Sequence, residues 1–372
     1  DKLVTGVQTC ALPIWPRHWQ HGGCLRCGVR GRCSAVARDH DHRCDEQHER
    51  DDDDPEHPTY HVANYRTTSM MLRPMDRRAL ESDLARAVSY SQWVALLTRY
   101  FAARDLEFGH GTDNAADEAY WLVRHLQDWR DEPLEAAPDP KLSRQAAELA
   151  EKRAVERVPL AYLLGETWFA GLKFKVDSRV LIPRSPLAEV IEARFEPWCS
   201  VNDGDRILDI GTGSGCLAIA AAVHCPGARV DATDVSAAAF AVAAENVARH
   251  DVAERVRLYQ ADVFPPADAR YRVIMSNPPY VPAEAVTALP AEYGHEPRVA
   301  LDGGPTGLDV VERILRGAGA RLERDGILLV EVGAGWEALN AAHPRLDVTW
   351  IELRRGGEGV FVITAEELAR SG

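Results

Sequence analysis

The sequence predicts an α/β fold in which a small helical domain precedes an open, mostly parallel, doubly wound sheet. Three observations carry this reading. From Arg206 onward, short β-rich runs alternate with alanine-rich helical stretches; glycine turns and acidic residues mark several strand ends; and ahead of Pro159 apolar residues recur at helical spacing. With 372 residues the chain is long enough for two domains and a sizeable core. It has no run of about 18 apolar residues, so no membrane span is expected. A formal net charge of −14 argues against a partner held mainly through phosphates and suits a basic protein partner; no direct sequence-specific nucleic-acid binding is expected.

Residues 1–69 differ in character from the rest. They hold five of the eight cysteines (Cys10, Cys24, Cys27, Cys33, Cys44), seven of the thirteen histidines and the acidic run Asp51 to Asp54. Four thiolates from Cys24, Cys27, Cys33 and Cys44 could close a tetrahedral zinc site, but no periodic apolar pattern surrounds them. VTGVQTCALPI, Val4 to Ile14, resembles the in-frame translation of a short-read sequencing adapter, and the text after it reads like GC-rich DNA out of frame. The segment is therefore expected to be non-native, disordered read-through without a metal, with the native start at Met70, Met71 or Met75. Setting aside its nine basic and eleven acidic residues leaves −12. The remaining Cys199, Cys216 and Cys225 show no ligand spacing, which suits a reducing cytoplasm.

Residues 70–165 read as the helical domain. Leu80, Leu84, Val88, Trp93, Leu96, Leu97, Tyr100 and Phe101 are spaced for one buried face, as are Ala119, Leu122, Val123 and Leu126. GHGTDN, Gly109 to Asn114, breaks the pattern, and Thr112 or Asp113 could cap the following helix. DEPLEAAPDP, Asp131 to Pro140, is a linker, and Lys141 to Arg157 resumes a helix. Residues 166–183 alternate around Gly171 as a β-hairpin bridge would. Within 184–372, RILDIG, RVDATD, VRLYQAD, YRVIMSN and GILLVEVG are the candidate parallel strands, with VTWIEL and GVFVIT as a closing hairpin.

Ligands of an open α/β sheet sit beyond the carboxyl ends of its strands. Asp209 and DIGTGSG (Gly211, Thr212, Gly213, Ser214, Gly215), Asp234, and Asp262 with Val263 all fall there. The glycine spacing is one residue short of a dinucleotide turn. Asp234 can accept from two ribose hydroxyls and Asp262 from an adenine amino group, which resembles a class I S-adenosylmethionine (SAM) methyltransferase with its Rossmann-like sheet.

MSNPPYV, Met275 to Val281, then ends the fourth strand in a stiff elbow. The prolines fix φ, so the Asn277 side chain and the Pro278 carbonyl stand as acceptors for a planar NH2 group, beside the Tyr280 ring. Such bonds draw the NH2 protons into the acceptor plane and aim the nitrogen lone pair at a methyl donor. The elbow does not by itself choose between an amide and a base.

From about Met75 onward the chain is similar to the protein-(glutamine-N5) methyltransferases, the HemK/PrmC and PrmB group. GHGTDN, VLIPRSPLAE (Val180 to Glu189) and EYGHEPRVALDGGPTGLD (Glu292 to Asp309) resemble the branch that modifies large-subunit ribosomal protein L-three. The release-factor branch has an IPRPxTE exit where this chain has Pro183-Arg184-Ser185-Pro186. The resemblance implies SAM on Asp209, Gly211 to Gly215, Asp234, Asp262, Val263 and Asn277, and the glutamine on Asn277, Pro278, Pro279 and Tyr280, with Arg184 as a further substrate contact. Arg184 and Ser185 read equally as fixing the hairpin to the sheet, and Glu292 to Asp309 as a lid or a surface loop. His110 and His295 read as loop hydrogen-bonders. The alternatives to the L-three substrate are peptide release factors, an adenine of nucleic acid, or no catalysis at all in a SAM-binding assembly factor.

Overall fold

The computed structural model describes residues 75–130, 132–266 and 268–371. The cysteine cluster, the adapter-like stretch and the start-codon candidates Met70 and Met71 lie outside them. Among the described residues no helix is long and apolar enough to cross a membrane, and no group of His, Cys, Asp and Glu is placed to hold a metal.

Four helices open the described residues: α1 (Arg77–Arg86), α2 (Tyr90–Ala102), α3 (Ala115–Leu126) and α4 (Ser143–Val155), followed by the single turn α5 (Leu160–Leu164). Side-chain caps start three of them. Asp76, Ser89 and Asn114 each accept from backbone N–H groups of the first turn. Asn114 caps α3 where Thr112 or Asp113 was expected; Thr112 instead turns inward, 1% exposed, toward Glu118. Val88, read as a core residue, is 69% exposed, because α1 ends at Arg86 and Ser89 starts α2, leaving Val88 in the turn between them. Leu80, Leu84, Trp93, Leu97, Phe101, Ala119, Leu122 and Val123 do form the shared core. A leucine so buried contributes about 1.5–3 kcal/mol.

The bridge is a two-stranded hairpin of β1 (Glu166–Phe169) and β2 (Leu172–Lys175), with Ala170 and Gly171 both at positive φ in its turn. Both central positions at positive φ match the twist of the flanking strands. Its exit residues Val176, Val180 and Ile182 join the helical core, as do Ala239 and Val242 of α8 (Ala237–Arg249).

The large sheet has seven strands: β3 (Arg206–Ile210), β4 (Arg229–Asp234), β5 (Val256–Gln260), β6 (Tyr271–Ser276), β7 (Leu322–Glu331), β8 (Thr349–Trp350) and β9 (Val360–Thr364), ordered β5-β4-β3-β6-β7-β9-β8. The first five are parallel; β9 is antiparallel to both β7 and β8, so the last strand lies between them. One face packs on α6 (Leu187–Glu192) and α7 (Cys216–His224); beyond β6 comes the short α9 (Ala283–Val286), and the other face packs on α10 (Asp309–Arg321). α7 carries four alanines with no exposure, Ala218, Ala220, Ala221 and Ala222, which lets it lie close on the sheet. The order reverses at β3, whose neighbours β4 and β6 are followed by helices on opposite faces. That is where a crevice opens at the strand ends.

Candidate active site

Ile210 pairs with both Thr233 of β4 and Ser276 of β6, so Gly211 and Asn277 leave neighbouring strands at the same level. Ser276 Oγ donates to the Ile210 carbonyl over 2.7 Å and fixes that level. Gly211, Gly213 and Gly215 all have positive φ (73°, 56° and 83°), a turn that other residues would adopt under strain. A Cβ at Gly211 or Gly213 would meet nothing within 4 Å, so backbone is presented to the crevice; at Gly215 it would press on Ile219 and Ala243 at 3.1 and 3.3 Å.

Two carboxylates line this loop without a cationic partner. Asp209, fully buried, accepts from Thr212 Oγ1 at 2.6 Å and Ala218 N at 3.1 Å through Oδ2, while Oδ1 has no protein partner. Burial pushes its pKa up to about 7, helped by the neighbouring Asp234 charge. Asp234 accepts from Gly213 N and Ser236 N, each at 2.8 Å, and burial raises its pKa too. Asp262 is placed differently: its side chain is 63% exposed and forms an ion pair with Arg313 of α10. Val263 beside it is buried with φ 66°, unusual for a β-branched residue, and its carbonyl accepts from Thr233 Oγ1 at 2.7 Å.

In the elbow, Pro278 is buried and Asn277, Pro279 and Tyr280 are half-buried. Tyr280 donates its hydroxyl to Glu331 Oε1 at 2.9 Å. Behind the elbow runs 301–307: Val281 N donates to Leu301 O, Gly303 N to Val281 O and Ala283 N to Gly304 O. Gly307 has φ 79°, and a Cβ there would lie 2.3 Å from the Tyr280 carbonyl. This stretch is therefore backing for the elbow.

The preceding residues are a clasp to the helical region. Arg184 is 6% exposed and bidentate on Glu296, at 2.6 and 2.7 Å, and also donates to the Ile182 carbonyl. Both terminal nitrogens of its guanidinium bond the scaffold, as the fixing alternative for this residue expects. Arg184 and burial oppose each other on Glu296, and the pKa ends low, about 2. His110, 2% exposed, packs at a tilt against Tyr293 with ring centres 4.5 Å apart and stands 3.6 Å from Glu296, beyond hydrogen-bond range, so the hydrogen bond expected of it is not formed. Glu292 accepts from Arg153 and Arg157 and from Glu107 N, and Arg153 also bonds Glu118. His295 lies 3.0 Å from the Glu156 carbonyl.

The crevice thus gathers Asp209, Gly211 to Gly215, Asp234 and Asn277, with Pro278 to Tyr280 leading away from it, and leaves Asp262 and Arg184 in ion pairs. Sequence reading passed over Glu331 and Ser276. Each stands as a polar residue ending an otherwise apolar strand run, the same signal that drew attention to Asp209.

These residues fit SAM by their chemistry. An unpaired buried carboxylate oxygen suits a cationic ligand, a second carboxylate at the next strand end suits ribose hydroxyls, and an open glycine turn admits a ligand close to backbone. Residues 195–292 match the family model of the methyltransferase small domain, a span that holds both the glycine turn and the elbow. A ribosomal protein uL3 glutamine methyltransferase of Xylella fastidiosa is 46% identical over 281 residues, covering 73% of this chain and 90% of the relative. Its counterpart in Bordetella pertussis is 44% identical over 281 residues, covering 73% and 93%. A crystal structure of a methyltransferase from Pyrococcus furiosus aligns at 21% identity with a TM-score of 0.39, covering 60% of this chain and 98% of that one. With such identity to curated relatives sustained over nearly their whole length, the chain belongs to the ribosomal protein uL3 glutamine methyltransferase family.

Proposed function

We propose that this protein methylates the N5 nitrogen of a glutamine side chain in large-subunit ribosomal protein L-three (uL3), using SAM. The observation that carries the reading is the level pairing of Gly211 and Asn277: it sets a planar NH2 acceptor beside a turn suited to SAM. Asp209, Gly211 to Gly215 and Asp234 would hold SAM, with Asp262 and Val263 at the rim. When bound, SAM supplies a methyl group on a positively charged sulfur.

The chain's own residues do the rest by alignment. Amide nitrogen is a poor nucleophile because its lone pair is delocalised into the carbonyl. Asn277 and the Pro278 carbonyl accept the two N–H bonds, Pro279 keeps the elbow stiff, and Tyr280 offers the amide a flat wall. That arrangement favours a pyramidal nitrogen whose lone pair points across to the glycine turn. The amide proton displaced by the new N–C bond leaves to solvent.

The helical domain, residues 70–165, would recognise the substrate protein, with the hairpin 166–183 joining it to the catalytic domain 184–372. A chain of net charge −14 attracts a basic ribosomal protein by long-range electrostatics, and such a substrate places the reaction in the cytoplasm. Methyl transfer from labelled SAM to purified L-three and, in parallel, to a release factor tests the reading, with mass spectrometry locating the methyl. Label on a glutamine of L-three is expected. Label confined to the release factor, or absent from both, would overturn the substrate assignment.

A further inference from the structure

Glu331 is the last residue of β7, and Val330 before it pairs with Ser276, so its carboxylate stands level with Asn277 one strand away. It is 2% exposed. Oε1 accepts the Tyr280 hydroxyl at 2.9 Å and Oε2 accepts the Ser185 hydroxyl at 2.6 Å. Ser185 Oγ in turn accepts from Leu187 N at 3.2 Å, at the start of α6. One carboxylate therefore joins the elbow, the end of a central strand and the exit of the hairpin.

A buried carboxylate is an odd choice for mere packing. Of the titratable and charged groups facing it, Tyr280 comes from the elbow and Arg184 from the hairpin exit, and Arg184 is committed to Glu296, with His110 and Tyr293 beyond. No cation bonds Glu331 directly among the described residues, and burial pushes its pKa up to about 7. What a carboxylate does here that an apolar side chain could not is accept two hydroxyls at once, one on each oxygen.

We infer that Glu331 is the positioning residue of the elbow, orienting the Tyr280 ring as a wall of the amide slot and tying it through Ser185 to the hairpin. The inference rests on the glutamine-methylation reading above. Protonation gives the carboxyl a donor of its own, which competes with the two hydroxyls, so the wall is held best when Glu331 is ionised. Turnover should then fall as pH drops through about 7.

The test measures kcat and KM on L-three from pH 6 to 8.5 for the wild type, Glu331→Gln, Glu331→Ala, Tyr280→Phe and the Glu331→Ala/Tyr280→Phe double variant. Glu331→Ala should lower kcat about 10–100-fold while SAM affinity, read by calorimetry, stays near wild type. Glu331→Gln, whose amide keeps one acceptor oxygen and carries a donor NH2 as the protonated acid does, should hold kcat at pH 8 near the low-pH level of the wild type and lose the acid limb. The double variant should be no worse than Glu331→Ala alone. Wild-type kcat and an unchanged pH profile in Glu331→Ala, or losses that multiply in the double variant, would overturn the inference.

A second arm needs no substrate. The ring-carbon NMR signal of Tyr280, identified by its loss in Tyr280→Phe, should shift with pH near 7 in the wild type and stay still in Glu331→Gln. A signal that does not titrate in the wild type counts against Glu331 whatever the assay gives. A wild type that never methylates L-three sinks the substrate assignment and leaves this arm to decide.

Discussion

Glu296 and Asp209 are both buried carboxylates within the same fold, yet one is driven down to about 2 and the other up to about 7. The difference lies in who supplies the positive charge. Glu296 receives it from Arg184 of its own chain, in two short bonds. Asp209 receives only a hydroxyl and a backbone N–H, and one oxygen has nothing. A carboxylate that the chain neutralises for itself belongs to the scaffold, whereas one left without a counter-charge in a crevice is suited to a ligand. The clasp and the crevice can thus be told apart by electrostatics, without a ligand in place.

The largest effect should come from breaking the clasp. Glu296→Ala strands the Arg184 guanidinium in a buried site, which typically costs about 3–5 kcal/mol. Urea unfolding should show that loss, while Arg184→Met combined with Glu296→Leu should recover most of it. If the single variant is as stable as wild type, Arg184 has another partner and could serve the substrate after all.

Next comes the elbow, which lies between the two regions. Asn277→Ala should reduce methyl transfer to L-three about 10²–10³-fold, by analogy with removing one preorganised polar group from a reacting site. The melting temperature should hardly move, since Asn277 is only half-buried. Near-normal turnover would remove the amide-holding role from Asn277.

Asp234→Asn keeps the shape and loses the charge. It should weaken SAM binding about tenfold, or ~1.4 kcal/mol, measured by calorimetry. Unchanged affinity would mean that the carboxylate serves only Gly213 and Ser236.

These contrasts explain what the sequence could and could not reveal. RILDIG, RVDATD and YRVIMSN announce their strands because each is short, apolar and ended by a polar or glycine residue, and period and punctuation are local properties. The glycine turn and the elbow are legible for the same reason, since their chemistry is contiguous in the chain. The clasp is not: Glu292 lies 139 residues from Arg153, and Glu296 112 from Arg184, so nothing local pairs them. Asp262 was read from its place after a strand, but only the packing of α10 brings Arg313 to it. Asn114 took the capping role because one residue decides where a helix begins, and three adjacent polar residues offered themselves.

The smallest effect is the one that tests the electrostatic argument most directly. An aspartate ionises near 3.8 in the unfolded chain and Asp209 near 7 in the folded one, so the folded state holds a proton that the unfolded state has lost. That contribution is fully present below about 3.8 and disappears as pH rises through 7. Between pH 6 and 8 it amounts to about one tenfold change in proton binding, or ~1.4 kcal/mol. Glu331, also raised to about 7, acts in the same direction over the same window, whereas Glu296 is flat there and loses its contribution only as pH falls from about 4.5 toward 2. Burial lowers the pKa of His110 and His250, which works the other way over that window, so the reading is the change: in the SAM-free protein, Asp209→Asn should make the unfolding free energy at pH 6 relative to pH 8 smaller by ~1.4 kcal/mol. Glu296→Gln should shift stability at both pH values by the same amount. If Asp209→Asn keeps the full slope, Asp209 is already ionised at pH 6, and the crevice holds a counter-charge of its own like the clasp.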